Sequence, residues 1–156
     1  RTGHCFMRDD FDSVIEQIES ADALIFATPI HFYTISAHAM SIVNRAQSGY
    51  ARRYIMKDEN VIGKPLKPAA LISAGGTNGK KLFDGVRLTM YYFFYAAGYK
   101  LRHELLVPGI DGKGEVLDKP EAVEQAKEIG RKLAAPEPEP PDDSGDDGVD
   151  TTLVMN

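Results

Sequence analysis

Two short runs of the chain, Ala23-Leu24-Ile25-Phe26-Ala27 and Ala69-Ala70-Leu71-Ile72-Ser73, are apolar at nearly every position. A strand with one wet face alternates between apolar and polar residues. A run that does not alternate reads as a strand covered on both faces, the habit of parallel sheets. Helical spacing fills the intervals. Asp9 or Asp10 is placed to cap a helix whose inward face is Phe11, Val14, Ile15 and Ile18. Ser36 can cap a second helix reaching about Ser48, with Ala39, Ile42, Val43 and Ala46 inward. A long helix from Lys81 to Ala97 carries Leu82, Phe83, Val86, Met90, Phe93, Phe94 and Ala97 on one face, and Gly98 suits its C′ position. A third strand spans Leu101 to Val107. Pro120 then opens a last helix through Ala134, with Val123, Ala126, Ile129 and Leu133 inward. Residues 49–67 read as a polar connection.

Strands alternating with helices imply right-handed crossovers and a parallel sheet between two helical layers. Three strands make a thin sheet of this kind. Because both early strands read as interior ones, one sheet edge should be an interior edge left open. The first residue is Arg1 rather than Met. The expectation is therefore an α/β domain over residues 1–135 whose first strands are missing from this chain.

Charge separates that body from the last 21 residues. Residues 136–156 contain seven acids and no base, in Pro-Glu-Pro-Glu-Pro-Pro and Asp/Gly/Ser text that cannot pack a core, and so read as a disordered acidic tail. The whole chain carries 18 bases against 23 acids. Without the tail the balance is near neutral, with no basic stripe for nucleic acid. No apolar run reaches the roughly 20 residues of a membrane span. One cysteine, Cys5, excludes an internal disulfide framework, and with four scattered histidines gives no metal site. A cytoplasmic protein is expected.

Ligands of open α/β sheets bind beyond the carboxyl ends of the strands. Two loops follow such ends. Thr28-Pro29-Ile30-His31-Phe32-Tyr33 offers two aromatic rings and an imidazole on a stretch stiffened by proline. Ala74-Gly75-Gly76-Thr77-Asn78-Gly79 has glycine where backbone N–H groups can approach a ligand closely. Together they suit a flat heterocycle with a hydrogen-bonding edge, although both can also be read as ordinary turns. Residues 75–81 approach a phosphate-binding P-loop but are one residue short, with Lys81 in place of the Ser/Thr. Tyr91 to Tyr95 place five successive aromatic residues on one helix. They cannot all face one core, so some are expected at a homo-oligomer interface.

Thr28-Pro29-Ile30-His31-Phe32, then Ile35-Ser36-Ala37 and Asn44-Arg45, resemble a segment of the flavodoxin-like NADPH-dependent FMN reductase and iron–sulfur flavoprotein family. Ser73-Ala74-Gly75-Gly76 with Gly79-Lys80-Lys81 is similar to its second flavin loop. Thr2-Gly3-His4-Cys5 ahead of Asp9-Asp10-Phe11 resembles the end of its cysteine-rich segment. The resemblance covers roughly residues 1–107. It implies a three-layer α/β/α flavodoxin-like fold and FMN bordered by Thr28, Pro29, Ile30, His31, Phe32, Tyr33, Ser36, Ala74, Gly75, Gly76 and Thr77. NAD(P)H would be the donor, and a small molecule or protein the electron acceptor. Backbone N–H groups at the N1/O2 edge would favour reduced, negatively charged flavin. No catalytic side chain is implied, because the flavin carries the chemistry. Two departures stand out: the phosphate-binding loop after the first strand is absent, and Cys5 alone cannot hold an iron–sulfur cluster. A non-catalytic incomplete remnant and an FMN electron carrier are the alternative readings.

Overall fold

The computed structural model describes residue 3, residues 5–7 and residues 9–135. His4 and the acidic tail at 136–156 lie outside the described residues. The elements run α1 (Phe11–Ser20), β1 (Leu24–Pro29), α2 (Ala37–Arg45), α3 (Gln47–Tyr50), a π-helical turn (Ala51–Ile55), α4 (Glu59–Ile62), β2 (Lys67–Gly75), α5 (Asp84–Ala96), β3 (Tyr99–Pro108), a 3₁₀ turn (Glu115–Asp118) and α6 (Pro120–Ala134). The three strands are parallel in the order β1-β2-β3. This is the flavodoxin-like α/β arrangement expected from the alternation of runs.

Helices cover both faces of the sheet. On one face Ile35, Ala46, Leu71, Val86, Met90, Phe93, Phe94 and Tyr99 form the main core. Burying side chains of this size stabilises by about 1.5–3 kcal/mol each. On the other face α6 packs Ala122 and Ile129 against Ala70, Leu105 and Val107. Ser36 caps α2, its hydroxyl accepting from Ala39 N at 3.3 Å, and Gly98 leaves α5 at a φ of +89°. Pro120 is the first residue of α6, where its missing N–H costs nothing.

Two expectations need correction. Residues 49–67 are not mainly connection, because helical turns continue almost unbroken from α2 to Ile55 and resume in α4. Gly49 makes this possible: a methyl group there would lie 2.4 Å from the Ala96 carbonyl oxygen, so only glycine lets the chain cross α5 so closely. The polar composition hid a helical stretch that buries Gly49 and even the charged Arg53, while Lys57 and Glu59 remain outside. The second correction concerns β1, which is not covered on both faces. Leu24 and Phe26 turn towards the core, whereas Ile25 and Ala27 are on the opposite face, with Ile25 46% exposed. α6 packs on β2 and β3, so among the described residues β1 is an open edge with one bare face.

α1 is tied down at both ends. Asp9 accepts from Phe11 N at 3.0 Å and pairs with Arg45 at 2.6 Å, and the Arg45 guanidinium lies over the Phe11 ring. At the far end Lys67 Nζ donates to the carbonyls of Glu19 and Ala21, and the buried Tyr99 hydroxyl reaches those of Ile18 and Ala21. Last-turn carbonyls that lack helical partners are thereby satisfied.

Candidate functional site

The carboxyl ends of all three strands meet at one end of the sheet. In register, Thr28 lies beside Ser73 and Pro29 beside Ala74. The Ser73 hydroxyl donates to the Thr28 carbonyl at 2.8 Å, and Ile30 N donates to the Ala74 carbonyl at 2.9 Å. Thr28 is buried, and its own hydroxyl accepts from Ser36 N at 3.4 Å, fastening the far end of the first loop. Gly75 is buried too. A methyl group there would press on Leu82 at 3.0 Å and on Ile30 at 3.2 Å. Thr28 and Gly75 thus form the floor on which the exposed loop residues rest, and Ile30, Ser36 and Ala74 are half-buried around them.

Above that floor the first loop makes a tight hairpin turn. His31 N donates to the Thr34 carbonyl at 2.9 Å and Thr34 N returns a bond to His31 at 3.0 Å. The two residues between, Phe32 and Tyr33, have φ of +47° and +63°. Two successive positive φ values define the mirror-image turn that normally selects Asn and Gly. Holding aromatic residues there costs about 1–3 kcal/mol each, and such strain gathers at functional sites. Phe32 is fully exposed, while Tyr33 is about half exposed with its hydroxyl near Gly79 of the second loop. The Tyr33 carbonyl oxygen would be 2.3 Å from a methyl group at Gly85, so that glycine admits the loop.

The second loop supplies donors. Among the described residues, Gly76, Thr77 and Asn78 are exposed and their N–H groups have no hydrogen-bond partner. Three consecutive unpaired N–H groups are donors available to an anionic or carbonyl-rich edge. The role expected for Gly76 changes. Its φ is not positive, and a methyl group there would meet the Asp111 carboxylate at 3.0 Å, so its smallness admits a neighbouring loop.

That neighbour, residues 108–112, is a part of the site that the sequence reading does not include. Gly109 N donates to Thr77 O and Ile110 N to Gly75 O at 3.0 Å, which clamps the second loop from the β3 side. Glu115 holds this clamp by accepting from Asp111 N at 2.8 Å. The backbone N–H groups of Asp111 and then Gly112 keep the Glu115 carboxyl below the usual carboxylate range. Pro108-Gly109 directly after a strand is the available signal. His38, in the first turn of α2, is exposed. Pro29, His31, Phe32, Tyr33, Gly76 and Thr77 are therefore the accessible members of the expected set.

A parallel sheet flanked by helices, with its loops gathered at the carboxyl ends of the strands, places the molecule among flavodoxin-like proteins. The chain belongs to the NADPH-dependent FMN reductase family, which matches residues 1–95. It is 22% identical over 89 residues to an iron–sulfur flavoprotein of Archaeoglobus fulgidus, covering 57% of this chain and 41% of that protein. The chain thus spans well under half the length of that relative. The structure of the Trp repressor binding protein from Bacillus subtilis superposes with a TM-score of 0.61 at 26% identity, covering 79% of this chain and 71% of that one. A flavone reductase structure gives the same TM-score at 22% identity, covering 84% and 46% respectively. Among the described residues no helix is long and apolar enough to cross a membrane.

Proposed function

We propose that this end of the sheet binds the ring system of FMN and that the protein is a flavin-dependent oxidoreductase taking electrons from NADPH or NADH. The observation that carries the reading is the row of free N–H groups at Gly76, Thr77 and Asn78, beside the strained turn that projects Phe32. The residues fit a flat heterocycle: the N–H row faces a carbonyl-bearing edge, and Pro29, His31 and Phe32 border the ring. Bound flavin supplies the redox chemistry, and the chain orients it and sets the charge around it. Donors fixed in advance at one ring edge stabilise negative charge there without reorganisation. Passage of electrons to a small-molecule or protein acceptor belongs to the same proposal, as does assembly into a homo-oligomer.

Thr77→Pro tests the site when set against Thr77→Ala, because both lose the side-chain hydroxyl and only proline also removes the backbone N–H. Riboflavin and FMN affinities, read by fluorescence quenching, are expected to fall roughly tenfold if that donor faces the ring. Unchanged affinity in a variant shown by circular dichroism to be folded would move the flavin elsewhere. Oxidation of NADPH or NADH with a quinone acceptor then separates a reductase from an electron carrier. Absence of any flavin binding would favour the non-catalytic remnant.

A further inference from the structure

At the opposite end of the sheet lies a cleft of about 120 Å³ lined by Arg52, Arg53, Lys64, Lys67, Asn60 and Glu19, with the carbonyl end of α5 as its floor. Lys67 opens β2 and Gly75 closes it, so the cleft stands about 26 Å from the second flavin loop at 3.3 Å per residue. Its charge is strongly one-sided. Glu19 is engaged by Arg52, and Lys67 is spent on the carbonyls of Glu19 and Ala21. Arg53 and Lys64 have no acceptor among the described residues.

Arg53 is the unusual member. It is only 9% exposed and, unlike Arg52, has no carboxylate partner; its Nε, like that of Arg52, is buried without a hydrogen-bond partner. The Tyr95 ring lies 5.1 Å from the guanidinium carbon and gives it a cation–π contact. A guanidinium cannot shed its charge, and a buried charge without a counter-ion is costly. The carbonyl end of α5 draws a cation to this spot but takes none of its N–H groups. A forked donor, a free ammonium and no uncommitted acid form a receptor for an oxyanion. Size favours a small group: the volume is below the ~300 Å³ at which pockets for larger ligands begin.

We propose that this cleft, centred on Arg53 and Lys64, binds a tetrahedral oxyanion of the phosphate class, independently of the flavin. Arg53→Met removes the charge while keeping the packing, and Lys64→Ala changes an exposed residue with no structural partner. Inorganic phosphate and phenyl phosphate are titrated separately against the flavin-free chain at constant ionic strength, with melting temperature and calorimetry as readouts. Both phosphates should bind and raise the melting temperature above a chloride control. Preference for the ester assigns the site to a phosphate group on a larger molecule, and preference for the free ion to inorganic phosphate. Arg53→Met should weaken binding roughly tenfold or more, without a lower melting temperature in chloride. Lys64→Ala should weaken it several-fold and needs no change of core packing. No phosphate effect beyond chloride, or wild-type phosphate binding in Lys64→Ala, would overturn the proposal. Flavin titration is unaffected by either outcome.

Discussion

Phe32 is a residue whose backbone and side chain serve different ends. At φ +47° it is strained, and its fully exposed ring contributes no packing. Phe32→Gly should therefore raise stability, by about 1 kcal/mol, while weakening flavin binding or turnover. Phe32→Ala should not raise stability, because alanine keeps the β-carbon responsible for the strain. Melting temperatures of the two variants decide the point, and a Gly variant no more stable than Ala would show that the turn is unstrained. Gly85→Ala should act in the opposite sense, since its methyl group meets a backbone oxygen rather than a yielding side chain. A loss of about 1–3 kcal/mol is expected by chemical denaturation. None of this is legible in the text of the chain. The run Ile-His-Phe-Tyr-Thr carries no Asn or Gly to announce a hairpin turn. Gly76, by contrast, stands out in the sequence as a place needing a small residue, but its actual neighbour is not visible there, because Asp111 comes from a loop 35 positions away.

At the level of elements, periodicity locates α1, α5 and α6 closely, since each buries one stripe of apolar residues. It fails for residues 49–62, where the helix is broken into short pieces around a π-helical turn at Ala51–Ile55 that interrupts the 3.6-residue period. Two attachments of elements have a pH signature. Asp9, at the start of α1, is held below the ordinary carboxyl range first by its hydrogen bond from Arg45 and then by Phe11 N, and Glu115 is lowered by backbone donors. A depressed folded pKa gives stabilisation that is complete above the unfolded value, near 4, and is lost as pH falls through the folded one. Melting temperature should stay level from about pH 7 to 5 and decline below about 4. Asp9→Asn and Glu115→Gln should each be less stable at neutral pH and show a shallower acid decline. An acid slope identical to wild type would remove these two groups as its origin. Tyr99→Phe addresses the other end of α1. Losing the hydroxyl that meets the α1 carbonyls should cost about 1 kcal/mol at any pH below the tyrosine range.

For the molecule as a whole, the parallel sheet and both helical layers follow from continuous apolar runs alternating with amphipathic ones, whereas the strand order is visible only in the structure. The expectation that β1 is enclosed does not hold in these residues, since α6 packs on β2 and β3. The composition of β1 suits an interior position, so the apolar signal is real but does not say what lies on its far side. Amide hydrogen exchange offers a direct view of the result. β2, paired on both sides, should contain the slowest-exchanging amides. In β1 the N–H groups facing β2 should be protected, and the alternate ones, directed away from it, should exchange within the dead time of the measurement. A chain with such a border behaves in solution as a template: its shelf life at high concentration will be governed by strand-to-strand capture rather than by the melting of its core, and Ile25→Lys should lengthen it.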